Sequence, residues 1–211
     1  DVSEHQGKIN WAQVKTAGVD FAILRCGYAS TYPDKQWHNN VQGCLSTGMP
    51  FGVYLYSRAT SPEEASKEAD FAISQLKSEG LTGADLAFPV YFDMEDSKMV
   101  GKNYAAIAQA FFDKLTAAGY PVGTYANLSW WNTYLTSPVF DNYSKWVAAY
   151  NTSIGLTYAP MSNFSEGNGV WQFSDYGVIP GISERVDLNY TYMEPINSDH
   201  WVKSGSKWWY R

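Results

Sequence analysis

Cysteine, histidine and positive charge are scarce in this chain, and each scarcity removes a class of function. Only His5, His38 and His200 occur. They lack the spacing of a zinc site, so no metal and no cofactor is expected. Fifteen Lys and Arg stand against twenty-one Asp and Glu, a net charge of -6. That balance argues against nucleic acid, whose phosphates need a basic surface. No apolar run reaches the roughly 18 residues that a membrane-crossing helix requires. No Gly-x-Ser-x-Gly occurs, so a serine triad has no nucleophile elbow. No leader opens the chain at Asp1-Val2-Ser3, and the expectation is a processed or trimmed form. The two cysteines, Cys26 and Cys44, are placed at a strand end and late in the helix that runs back. At ~1.5 Å rise per helical residue they stand about 10 Å or more apart. A disulfide tolerates no more than about 7 Å between Cα atoms, so two unbridged thiols are expected.

Aromatic residues are abundant instead, with nine Trp and sixteen Tyr among 211 residues. Each joins a flat apolar face to a polar handle, which suits the C–H faces and hydroxyl edges of a carbohydrate. Many of them also belong to a core. The length allows one large domain or two small ones, and the apolar share allows a sizeable interior.

A phrase recurs along the chain. Gly48-Met49-Pro50-Phe51-Gly52-Val53-Tyr54 matches Gly119-Tyr120-Pro121-Val122-Gly123-Thr124-Tyr125, with a looser copy at Gly18 through Leu24. Gly fits the left-handed position past a helix end, and Pro prevents continuation. The unit is helix, tight turn, buried strand. Ser61-Pro62-Glu63-Glu64 predicts a capping box with Pro at the first helical position. A second long helix starts near Asn103, and shorter ones are predicted near 10–17, 36–47 and 129–136. Strands are predicted near 20–26, 51–57, 88–95, 120–126, 145–150, 169–174 and 184–189, with Asp1-Val2-Ser3 as the stump of an eighth. Strands alternating with helices imply a parallel sheet covered on both faces. The expected fold is α/β, an irregular (β/α) barrel that is TIM-like but helix-poor in its C-terminal third. A doubly wound open sheet is the runner-up, but it wants a Gly-rich loop after its first strand, and none follows. Residues 1–196 form the expected catalytic domain. The aromatic tail 197–211 is either the start of a second module or a last strand on the barrel.

Phe88-Pro89-Val90-Tyr91-Phe92-Asp93-Met94-Glu95-Asp96 is a buried strand that ends in acids. Alternation turns Asp93 and Glu95 to one face. Neighbouring carboxyls drive their pKa values apart, the minimum equipment for cleaving a glycosidic bond. In a (β/α) barrel, catalytic groups collect at the C-terminal strand ends. Those ends carry four acids, Asp1, Asp93, Glu95 and Asp187, among Tyr28, Tyr56, Tyr125, Trp146, Tyr150 and Gln172. One acid at a strand end signifies nothing beyond solvent. Four acids among aromatics and amides indicate a sugar site. The same acids could take a divalent cation, but their aromatic neighbours favour sugar.

The ordered set Asp1-Val2-Ser3-Glu4-His5-Gln6-Gly7, Arg25-x-Gly27-Tyr28, Tyr54-x-Tyr56, Asp93-x-Glu95, Trp146-x-Ala148-x-Tyr150, Trp171-Gln172 and Val186-Asp187-x-Asn189 resembles the family 25 glycoside hydrolases, the Chalaropsis-type lysozymes. The match runs from Asp1 to about Tyr192. The resemblance implies cleavage of the β-1,4 bond between N-acetylmuramic acid and N-acetylglucosamine in peptidoglycan; that substrate places the expected action outside the cell or at its wall, and a monomer is the default expectation. Carried over by position, Glu95 is similar to the general acid, and Asp93, Asp1 and Asp187 match the other active-site acids. Tyr28, Tyr56, Tyr125, Trp146, Tyr150 and Gln172 are the candidates for holding the sugar. Asp93 has two open roles, direct nucleophile or orienter of the substrate's own acetamido group, with the second favoured. The tail resembles aromatic wall-binding repeats. A chitinase-like hydrolase and a non-catalytic carbohydrate-binding module are the rival readings.

Overall fold

The structure, a computed structural model, describes residues 1–150 and 169–196, together with the backbone of 201–204 and 207–210. Its organising element is one sheet. The strands are β1 (Ala22–Tyr28), β2 (Tyr32–Pro33), β3 (Phe51–Tyr56), β4 (Val90–Asp93), β5 (Val122–Asn127), β6 (Ser144–Ala148), β7 (Gly169–Gly177) and β8 (Val186–Thr191). Their spatial order is β2-β1-β3-β4-β5-β6-β7-β8. From β1 through β7, apart from β2, neighbours are parallel. The helices α1 (Trp11–Thr16), α2 (Trp37–Thr47), α3 (Pro62–Ser78), α4 (Tyr104–Ala117) and α5 (Leu128–Thr133) follow the predicted positions. This is the irregular α/β barrel expected from the alternating elements.

Local chemistry explains the repeated unit. Gly18, Gly48 and Gly119 all take positive φ, 92°, 61° and 86°, where a side chain would be strained. Each turns the chain from a helix into a strand. Helix α3 begins with Ser61 accepting from the Glu64 N–H and with Pro62 at the first turn. The predicted reciprocal box does not form. The Glu64 carboxylate reaches back one residue further, to the Thr60 N–H at 2.7 Å and its hydroxyl at 2.9 Å. Ala65, Ala69, Ala72 and Leu76 recur on the buried face of this helix.

Two departures from expectation concern the barrel's seam. Asp1-Val2-Ser3 is not a full strand but a single bridge, Val2 to Leu24. Val2 bonds to Ile23 and Arg25 on β1, while the Asp1 nitrogen donates to the Asp187 carbonyl on β8 at 3.0 Å. Two adjacent residues thus link the first strand to the last. The second departure is β8, which runs antiparallel to β7. It therefore begins, rather than ends, at the mouth where the parallel strands finish. A largely apolar cavity of about 490 Å³ lies along this seam, against Trp11, Val14, Phe21, Ile182 and Leu188, and touches the mouth only through Asp1, Asp187 and Asn189.

The core has two parts. The larger lies between sheet and helices and includes Leu24, Val53, Phe92, Phe111 and Leu115. The smaller fills the barrel with Ile23, Phe88, Tyr91, Tyr125, Trp146 and Val170. Cys26 and Cys44 are buried free thiols in the larger part, and burial pushes both thiol pKa values up. Past Ile196, the backbone of Trp201–Ser204 (β9) and Lys207–Tyr210 (β10) pairs antiparallel as a separate two-stranded sheet, so no strand of it joins the barrel. The remaining tail residues, 197–200, 205–206 and 211, lie outside the described residues.

Candidate active site

The barrel mouth gathers the four acids from three places. Asp93 ends β4, and Glu95 follows it two residues on. Asp1 comes from the seam, and Asp187 from the start of β8. Asp93 is buried, at 3% exposure, and its Oδ1 has no hydrogen-bond partner among the described residues. Glu95 sits higher and half-buried, accepting from Asn127 Nδ2 at 3.4 Å. Asn127 ends β5 and also caps α5, since its Oδ1 accepts the Trp130 N–H.

Opposite β4 an amide network fixes Asp1. Gln172 Nε2 donates to Asp1 Oδ2 at 2.9 Å, and Asn189 Nδ2 donates to the same oxygen at 2.8 Å. Gln172 Oε1 in turn accepts the hydroxyls of Tyr125 at 2.9 Å and Tyr150 at 2.8 Å. Trp146 Nε1 donates to Asn189 Oδ1 at 2.8 Å. Each amide uses both ends, as a buried amide must.

Burial dominates the electrostatics. It raises the Asp93 pKa well above the ordinary range, helped by the Glu95 charge, while Arg25 pulls the other way. Burial also raises Glu95, against the pull of the Asn127 hydrogen bond and with the help of the Asp187 charge. Asp187 is raised too, again mainly by burial. The two carboxyls do not move apart into an acid and an anion as expected: both are raised, because burial acts on each in the same direction. The charge acting on Glu95, however, is that of Asp187 across the mouth, and Glu95 is what raises its strand neighbour. Arg25 is itself held beneath the mouth by Asp34 at 2.7 Å and Glu4 at 2.9 Å.

The predicted sugar-holding residues divide by depth. Tyr28 and Tyr56 are paired across β1 and β3 and half-buried. The Tyr56 hydroxyl is pushed up to about 12 by burial and then by the charges of Asp93, Asp96 and Glu95, which places it beside the acids. Tyr150 is 50% exposed and open to a ligand. Tyr125, Trp146 and Gln172 are buried. Trp146 packs against Tyr125 at 4.4 Å and edge-on to Tyr91 and Tyr54. It supports the floor of the site rather than offering an open ring. Asn127 and Asn189 escaped selection from the sequence. Their signal was their place at strand ends, but only folding brings each amide to an acid. Among the described residues, no group of three His, Cys, Asp or Glu is arranged to hold a metal.

Residues 1–182 match the family model described as glycosyl hydrolases family 25. The chain is 26% identical to lysozyme M1 of Streptomyces globisporus over 199 residues, covering 90% of this chain and 65% of that one. Among solved structures, the modular autolysin LytC of Streptococcus pneumoniae, determined with a synthetic peptidoglycan ligand, superposes with a TM-score of 0.77 at 31% identity. That match covers 90% of this chain and 45% of the autolysin. A bacterial lysozyme from Streptomyces coelicolor superposes with a TM-score of 0.71 at 26% identity, covering 90% of this chain and 89% of that one. The chain thus spans less than two thirds of the curated lysozyme and less than half of the pneumococcal autolysin.

Proposed function

The chain belongs to glycosyl hydrolases family 25, and we propose that it is a peptidoglycan hydrolase that cleaves the β-1,4 bond between N-acetylmuramic acid and N-acetylglucosamine. The observation that carries this reading is the pair Asp93 and Glu95 at the end of β4, facing an Asp1 held rigidly by Gln172 and Asn189. Glu95, half-buried with a raised pKa, donates its proton to the glycosidic oxygen as the bond to C1 breaks. The charge that develops on the sugar is oxocarbenium-like, and the carboxylates around the mouth stabilise it.

The unpartnered Asp93 Oδ1 supports the acetamido route. A buried acceptor without a donor is costly, and the N–H of the substrate's 2-acetamido group satisfies it. So oriented, the acetamido carbonyl oxygen attacks C1, the N–H proton passes to Asp93, and an oxazoline forms as the leaving sugar departs with the Glu95 proton. Water then opens the ring from the vacated face, giving a proton to Glu95 and recovering the amide proton from Asp93. Two inversions leave the anomeric configuration retained. Tyr28, Tyr56 and Tyr150 line the mouth as sugar contacts, while Tyr125, Trp146 and Gln172 position the groups above them.

The place of action is the cell wall, reached by secretion or by phage-driven release, and the working unit is a monomer that requires neither nucleic acid nor membrane. Among the described residues no helix is long and apolar enough to cross a membrane. The separate hairpin of the tail, with Trp201, Trp208, Trp209 and Tyr210 in its strands, is proposed as the first unit of an aromatic wall-binding repeat. Mass spectrometry of digested peptidoglycan tests the specificity, with reducing-end muramic acid expected and reducing-end glucosamine overturning it. Proton NMR of the first-formed anomer tests the mechanism, and an inverted product rules it out.

A further inference from the structure

Strand β7 overhangs the barrel. Its partner β6 ends at Ala148, which pairs with Gln172, yet β7 continues to Gly177 and turns back through Val186. This overhang carries a built feature that the catalytic reading does not use. Arg185 stacks on Tyr176, its guanidinium carbon 3.2 Å from the ring centroid, and both residues are exposed. Arg185 stands two residues before Asp187, immediately ahead of β8, and Tyr176 precedes Gly177, which pairs with Val186, so the stacked pair closes the β7–β8 ladder at its mouth end. Asp175, beside Tyr176, lies close enough to Asp187 and Tyr150 for its charge to raise both. The pair therefore belongs to the rim of the same mouth. Its backbone is anchored, because Gln6 Nε2 donates to the Arg185 carbonyl at 3.0 Å.

The other arginine on this rim shows what Arg185 lacks. Arg58 also lies over a tyrosine, Tyr28, but its charge is taken by Asp96 at 3.2 Å. Among the ion pairs of the described residues, Arg185 takes part in none. A guanidinium stacked on an aromatic face keeps its in-plane N–H edge free and fixed, which matches the two oxygens of a carboxylate. The chain carries a net charge of -6 and its mouth is lined by acids, so an anionic group on a ligand is repelled almost everywhere near the site.

We propose that Tyr176 and Arg185 form a carboxylate-accepting subsite on the cleft rim, binding an acid group of the glycan substrate outside the cleavage point. The proposal rests on the peptidoglycan reading. The shared chemistry is a carboxylate, and its two sources are the lactyl group of a bare muramic acid and the peptide stem attached there.

The test compares the full chain with its Arg185→Gln variant on two glycans, one with intact stems and one stripped by an amidase to free lactyl groups. Each glycan is also used after its carboxylates have been converted to amides. Arg185→Gln is expected to raise KM about five- to tenfold on the glycan bearing the recognised acid, and less than about twofold once that acid is amidated, with kcat within about twofold. A rise confined to the stem-bearing glycan assigns the stem, and a rise on the stripped glycan assigns the lactyl group. Equal losses on acid and amide substrates, or no loss on any, overturn the subsite. Tyr176→Leu keeps the charge and removes the stack, and is expected to move KM in the same direction by a smaller factor. Sedimentation with intact or amidated sacculi, using Glu95→Gln with and without Arg185→Gln, reads the same difference without turnover. If the unaltered chain releases no reducing ends, the hydrolase reading fails, while this binding comparison still decides the subsite.

Discussion

The β4 side and the seam side of the barrel deliver acids to the same mouth by different means. On the β4 side, a parallel strand buried on both faces simply ends, and Asp93 and Glu95 project where it meets the mouth. Helix α4 packs behind it, with Phe111 stacked on Phe92 at 4.1 Å. On the seam side no helix separates β7 from β8. The chain instead reverses direction, so Asp187 enters at the start of an antiparallel strand, and a one-residue bridge brings Asp1 alongside. Where regular architecture is missing, a side-chain network replaces it, with Gln172, Asn189, Tyr125, Tyr150 and Trp146 fixing Asp1. The geometry of the proposed active site is therefore held by backbone regularity on one side and by paired amides on the other.

The largest effect is expected on the β4 side. Glu95→Gln keeps the shape and the Asn127 contact but removes the transferable proton. Turnover should fall by about 10³-fold or more while binding to peptidoglycan persists. Retained turnover would remove Glu95 from the mechanism and leave the seam acids as the chemistry.

The seam side breaks differently. Gln172→Ala removes the acceptor of two tyrosine hydroxyls and one of the two amides on Asp1. Turnover should drop by about 10–100-fold, and stability by about 1–3 kcal/mol in urea titration, because buried polar groups lose partners. Gln172→Glu preserves the tyrosine acceptor but sets a second carboxylate against Asp1. A loss with both variants assigns the network to positioning Asp1, whereas a normal Gln172→Glu confines its role to the tyrosines.

Glu68 on α3 tests how much the regular side tolerates. It is 3% exposed, accepts Ser57 Oγ at 2.6 Å and the Arg58 N–H at 2.9 Å, and is raised from 4.5 to about 6 by burial. A carboxyl whose pKa is higher folded than unfolded binds its proton more tightly in the folded state. Its contribution to stability is then full below pH 4.5 and is lost as pH rises through about 6, by about 2 kcal/mol. Glu68→Gln should flatten that stretch of the stability–pH curve, and an unchanged slope would exonerate Glu68.

The smallest effect sharpens the link between the sides. Asn127→Asp retains the cap of α5 but replaces a donor to Glu95 with an anion. Both changes favour protonated Glu95, so the alkaline limb of the activity profile should move to higher pH. A shift to lower pH would contradict Glu95 as the proton donor.

Much of the regular side was legible in advance, because its signals are local. Gly48 and Gly119 mark helix ends, alternation in Tyr91-Phe92-Asp93-Met94-Glu95 sets one face, and the caps of α3 and α4 mark their starts. The seam was less legible. The antiparallel course of β8 depends on how a loop turns, and β2, a two-residue strand, carries no periodic signal. Asn189 and Asn127 stood in view at strand ends, yet nothing in their neighbours names Asp1 or Glu95 as partners. Trp146 looked like an open platform for sugar, and burial made it a floor.

By itself the sequence determined the alternation of helix and strand, the acid pair at the end of β4 and the aromatic character of its surroundings, since periodicity, turn chemistry and residue type act over a few neighbours. Tertiary structure alone decided which charge acts on which acid. Burial depth, the reversal of β8 and the contacts of Gln172, Asn189 and Asn127 join residues as far as 188 positions apart. Electrostatic energies follow distance and dielectric in the folded molecule, and no order of residues along the chain contains either.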